Sequence, residues 1–196
     1  LLLIIAGYQF MIAFQRELTY ADGYEEAARY VVENQKGEIV LYSSKVDSGY
    51  FIFFTRKHDP HQDIIVFRAD KILATNKMDH IVENRINKRE EIYEILQDFG
   101  ICYVVLEDKE YESYPLRWLR EEVESDRFIL RRRIPITSND DRLQDVALDI
   151  YEFKGYTPPK RGKVLEMNIP LIGKSISVKL DNLLHNRIPE EVNTGN

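Results

Sequence analysis

Two imidazoles and a carboxylate fall within one short stretch, His58-Asp59-Pro60-His61. Both residue types ligate metals, so the spacing admits a metal site. A polar turn punctuated by Pro60 accounts for the same residues more simply, and no metal is expected. Close by stand Arg56 and Asp59, then Arg68, Asp70 and Lys71. Such residues can hold a phosphate, or they can neutralise one another in an internal salt-bridge network, Arg68 with Asp70 or Asp59. Ligands of open α/β sheets favour the C-terminal ends of strands, and Arg68 to Lys71 follow a predicted strand.

Other chemistry is thinly represented. The sequence has no G-x-G-x-x-G, no Walker A loop, no H-E-x-x-H and no G-x-S-x-G elbow. Asp47-Ser48-Gly49 lacks the flanking glycine of a strained nucleophile turn. The single cysteine, Cys102, lies inside the apolar run Ile101-Cys102-Tyr103-Val104-Val105-Leu106 with no histidine nearby, so it reads as packing. It forms no internal disulfide and fixes no redox compartment. No cofactor is called for. Arg131-Arg132-Arg133 is a basic run between apolar flanks, read as a strand with exposed alternate positions; a phosphate or lipid headgroup is the functional alternative. The net charge of −6 argues against a general nucleic-acid binder.

The elements that must position these residues begin after an apolar run, LLLIIAGYQFMIAF, from Leu1 to Phe14. About 20 such residues cross a bilayer as a helix, so the run predicts the tail of a truncated membrane helix. A buried core helix or strand is the alternative. A signal peptide fits poorly, because nothing basic precedes the run and no small-residue cleavage pattern follows. Asp22, with Glu25 as its capping-box partner, predicts a helix in which Tyr24, Ala27, Ala28 and Val31 share a face. Strands are expected at Glu38 to Ser44, Asp63 to Arg68 and Ile101 to Leu106. Helices are expected at Asp47 to Asp59, Lys88 to Phe99 and Tyr114 to Val123, the last with Pro115 in its first turn.

Phe128 to Ile136 and Val146 to Phe153 then read as an antiparallel hairpin on the edge of a mainly parallel sheet. Gly155 to Gly162 is a linker by composition, and two alternating stretches, Lys163 to Pro170 and Ser175 to Leu180, follow it. The fold class expected is α/β: a three-layer sandwich with an antiparallel edge hairpin and a C-terminal β extension. The expected divisions are 1–18 for the membrane helix end, 19–155 for the α/β domain, 156–185 for the extension and 186–196 for a disordered tail.

Four stretches carry a resemblance. They are Phe51 to Pro60, Val66 to Leu73, Phe99 to Glu107 and Ile169 to Ile176. Together they resemble the C-terminal soluble region of bacterial polytopic membrane glycosyltransferases, the dolichyl-phosphate-mannose protein mannosyltransferase-like and aminoarabinose-transferase-like group. The resemblance covers most of residues 20–180 in element order. It implies a multi-span enzyme that takes a sugar from a polyprenyl-phosphate donor, with this region extracytoplasmic. The family's catalytic acid lies in an early loop that no position here matches, so no catalytic residue is assigned. Arg56, Asp59, Arg68, Asp70 and Lys71 would then contact a phosphate, a sugar or the membrane domain of the same protein. A non-enzymatic, membrane-anchored binding domain is the competing expectation. A cytosolic α/β enzyme would require the apolar run to be core.

Overall fold

A strand with apolar side chains on both faces needs cover on both sides, and two such strands organise this fold. The computed structural model describes residues 11, 19–46, 49–76, 82–109, 113–169 and 174–185. In chain order its elements are β1 (Ala21–Asp22), α1 (Tyr24–Glu33), β2 (Ile39–Ser43), α2 (Gly49–His58), β3 (Ile65–Arg68), α3 (Ala69–Ile72), β4 (Ala74–Asn76), β5 (Val82–Asn84) and α4 (Glu90–Asp98). There follow β6 (Ile101–Glu107), α5 (Tyr114–Val123), β7 (Phe128–Pro135), β8 (Thr137–Ser138), β9 (Ala147–Phe153), β10 (Val164–Ile169), β11 (Lys174–Lys179) and α6 (Leu180–His185).

The five-stranded sheet has the order β3-β2-β6-β9-β7. Every residue of β2 and of β6 is buried. Ile39, Leu41, Val104 and Leu106 join one apolar cluster with Ile92 and Leu96 of α4 and Leu116, Leu119 and Val123 of α5. Val40, Tyr42, Tyr103 and Val105 join the other, with Tyr24, Ala27, Ala28 and Val31 of α1 and Phe51 of α2. Apolar helix faces therefore cover both sides of these strands. The β2–β6 register slips between Ile39, opposite Ile101, and Val40, opposite Tyr103. Cys102 is the extra residue of this bulge, which is why it and Tyr103 fall in the same cluster.

Several expectations need correction. The sheet is mixed, not mainly parallel: β3–β2 and β2–β6 are parallel, while β6–β9 and β9–β7 are antiparallel. The expected antiparallel edge hairpin itself is present, its second strand, β9, lying directly against β6 and its first, β7, forming the rim. Asp22 does not cap α1. It pairs with Thr137 in a two-residue bridge, and Gly23 takes the cap position at φ 105. Only glycine suits that place, because a Cβ there would lie 2.6 Å from the Pro135 carbonyl oxygen. The arginine run does not alternate: Leu130 to Arg133 are all exposed, since the β7–β9 register skips a residue between Leu130 and Arg132. The short pieces α3, β4, β5 and α6 had no counterpart in the sequence reading.

The segment after β9 is strapped to the end of α4. The Gln97 amide donates to the Gly155 carbonyl at 3.3 Å, and the Lys160 N–H donates to the Asp98 carbonyl at 3.1 Å. Lys160 and Lys163 each reach the Asp98 carboxylate at 2.5 Å. Gly100 sits at φ +62 with Pro159 against it, so that a Cβ would lie 2.6 Å from the ring. Beyond the strap, Leu165 and Leu180 are buried in the same cluster as α4 and α5. The expected membrane helix end and tail lie outside the described residues, Met11 excepted. Among the described residues no helix is long and apolar enough to cross a membrane.

Candidate functional site

The residues singled out from sequence divide between the two ends of β3. At its N-terminal end, Asp59 is buried and closes the turn that leaves α2. Its carboxylate accepts from the backbone N–H of Asp63 at 2.9 Å and of Ile64 at 2.7 Å. Arg56 donates to the Ile64 carbonyl at 2.8 Å and lies 3.9 Å from Asp59. His58 meets Glu25 of α1 at 3.0 Å, alongside Lys57 at 2.7 Å. Lys57 and then His58 hold the Glu25 carboxyl below its ordinary value. The His-Asp-Pro-His stretch thus spends its described side-chain contacts on fastening α2 to α1 and to β3. Among the described residues no group of three or more histidine, cysteine or acidic side chains could hold a metal ion.

At the C-terminal end of β3, Arg68 grips Asp70 with two hydrogen bonds of 3.0 and 2.8 Å, and Lys71 stands 3.6 Å from the same carboxylate. The salt bridge posed as an alternative for Arg68 is present with Asp70. Asp59 belongs to the other end of the strand. All of these pairs are partly exposed, apart from Asp59 itself.

Sequence reasoning missed Glu107. It is the last residue of β6 and fully buried. The chain runs from β2 outward to β3 in one direction, then places β6 on β2's other flank. The C-terminal ends of β2 and β6 therefore bound the crevice where strand order reverses, the usual ligand position in open α/β sheets. Here the Glu107 side chain occupies it. Its Oε1 accepts from the hydroxyls of Tyr24 at 2.8 Å, Tyr42 at 3.1 Å and Ser44 at 2.8 Å. Its Oε2 accepts from the backbone N–H groups of Lys45 at 2.9 Å and Val46 at 3.2 Å. Burial, reinforced by the Glu107 charge, raises the Tyr42 hydroxyl well above its ordinary pKa, so it stays a donor. The available signal was a lone acid ending an otherwise apolar strand, ICYVVLE.

A second charged group lies past the end of β6. Asp108 pairs with Arg120 of α5 and with Arg133 of β7, and Arg133 also reaches Asp149 of β9 at 2.8 Å. Burial pushes the Asp108 carboxyl up, but the two guanidiniums outweigh it and hold it below its ordinary value. Burial wins at Asp149, whose carboxyl is raised despite Arg133. The rest of the arginine run is likewise paired, Arg131 with Glu152 at 2.5 Å and Arg132 with Glu26 at 2.7 Å. Two cations matched to two carboxylates around Asp108 make a structural network that ties α5, β6, β7 and β9 together. Comparison with family models, with curated proteins and with solved structures finds no match to this chain.

Proposed function

We propose that this chain is an accessory, extracytoplasmic α/β domain of a membrane glycosyltransferase that uses a polyprenyl-phosphate sugar donor, with the chemistry performed elsewhere in the protein. One observation carries the accessory part. The crevice where an α/β domain of this strand order would take a ligand is filled by the chain's own Glu107, which engages both loop N–H groups there. The membrane part rests on the apolar run Leu1 to Phe14, and the transferase part rests on the four resembling stretches. In this reading Arg68, Asp70 and Lys71, at the strand end nearest to that crevice, are the candidates for contact with donor phosphate or with the membrane domain.

A membrane-anchored interaction module is the second reading, and Phe53 favours it. That ring is 63% exposed on α2 with Phe54 set edge-on beside it, the kind of aromatic surface a partner covers. Mapping the hydrophobic spans of the complete reading frame separates the two. Many spans and an acidic first loop support the transferase, and a single anchor supports the module. Within the transferase reading, Arg68→Glu in the full-length enzyme should lower sugar transfer about tenfold with folding unchanged, the order of one lost charge-assisted contact. Unaltered transfer by a folded Arg68→Glu enzyme removes Arg68 from the site.

A further inference from the structure

Donors from α1, β2 and the loop after β2 converge on a single point at the C-terminal edge of the sheet. Tyr24 contributes its hydroxyl from α1, Tyr42 and Ser44 contribute theirs from β2 and just beyond, and Lys45 and Val46 contribute successive backbone N–H groups. We propose that these groups form a carboxylate receptor and that Glu107 is its built-in ligand.

The division of labour around Glu107 supports a receptor over incidental packing. One carboxylate oxygen takes the three hydroxyls, and the other takes the two N–H groups. Successive backbone N–H groups make a concave anion nest, and such nests elsewhere hold phosphate or carboxylate. Tyr24 and Tyr42 are themselves buried, at 0% and 1% exposure, so their hydroxyls sit in a site of low dielectric where an unfilled acceptor position is costly. Tyr24 stacks on Tyr50 and Tyr42 stacks on Phe51, contacts that do not involve Glu107. Two of the five donors are therefore held by aromatic packing as well as by the acid. A planar anion with two oxygens matches the receptor, so the ligand class is a small carboxylate. The cradle keeps this chemistry whether or not the domain serves a transferase.

The test is chemical rescue in the full chain. Glu107→Ala removes the acceptor and keeps the donors. Its Tm should fall by about 10 °C, the scale set by losing the acceptor of two buried hydroxyls and three part-buried donors in a domain of this size. Formate and acetate, well above their Kd, should restore roughly 3–5 °C to Glu107→Ala and nothing to the unsubstituted protein. Sodium chloride at matched ionic strength should restore none. A folded Glu107→Ala protein that responds to formate and acetate no better than to chloride overturns the proposal. Glu107→Gln covers the case where the alanine variant does not fold. Its carbonyl oxygen can keep the two N–H groups, but its NH2 then faces three hydroxyls that had all been donors and must turn to accept, so its Tm should drop by about 5 °C. A Glu107→Gln protein as stable as the parent shows that the cradle does not require an anion, and also overturns the proposal.

Discussion

Cys102 joins a local reading to its physical consequence. Its apolar neighbours mark it as packing, and the structure buries it as the extra residue of the β2–β6 bulge, with its thiol 3.1 Å from the Ile39 carbonyl. Burial pushes the thiol up to about 11, since a thiolate there would lose its hydration. Iodoacetamide at pH 8 should therefore leave native Cys102 unmodified and label it promptly in urea, as read by mass spectrometry. Rapid native labelling would mean that the β2–β6 ladder opens easily at the bulge. Glu107 is the opposite case. Its donors come from residues 24, 42 and 44–46, more than sixty positions away, and nothing in the run ICYVVLE announces them. A charge at the end of an apolar strand was visible, but its partners exist only once the strand order is known. Arg68 and Asp70 were legible because their partnership is local, two residues apart.

At the scale of elements, the amphipathic helices and apolar strands were plain, because periodicity is a local property. Ile92 and Leu96 in α4 are buried as that pattern demands. The cap of α1 was misread because a long-range bridge, Asp22 with Thr137, took the capping residue away from the helix. The segment after β9 has the glycines and prolines of a linker, yet Asp98 fastens it through Lys160 and Lys163. Those two lysines hold the Asp98 carboxyl below its ordinary value of 3.8. An acid depressed in the folded state contributes stability above its unfolded pKa and loses it as pH falls through the folded one. The strap should thus hold at neutral pH and loosen below about pH 4. Asp98→Asn should mimic the acid state at pH 7, costing about 1 kcal/mol after solvent screening. Trypsin should then cut faster after Lys160 and Arg161. Unchanged cleavage would assign the fastening to Pro159 against Gly100 and to the backbone bonds instead.

For the whole molecule, the C-terminal hairpin and the short helix α6 that follows it share the main core. Leu165 and Leu180 are 3% and 0% exposed, within the cluster that holds α4, α5 and one face of the sheet. Their burial alone contributes about 3–6 kcal/mol, taking roughly 1.5–3 for each leucine. Trp118, the chain's one tryptophan, packs against that cluster and can report on it. Removing residues 156–196 should lower stability by about 3 kcal/mol or more on urea titration, within a single transition of Trp118 fluorescence. A truncated protein as stable as the full chain would make the hairpin a passenger. Sequence alternation identified β10 and β11 as strands, but it could not show which residue of theirs joins the core, since docking depends on the strap that precedes β10.

The skipped residue in β7 carries a consequence for crowding. This strand is the rim of the sheet, and its outward face presents Leu130, 49% exposed, among arginines. An unbroken rim of that length would offer a neighbouring molecule a straight ladder of free hydrogen-bonding groups. The slip between Leu130 and Arg132 bends that ladder out of step, and Pro135 removes a donor at its end. Each copy of the domain thus carries, along β7, a margin on which a second sheet finds no matching rhythm, so that growth of the sheet through this edge is disfavoured.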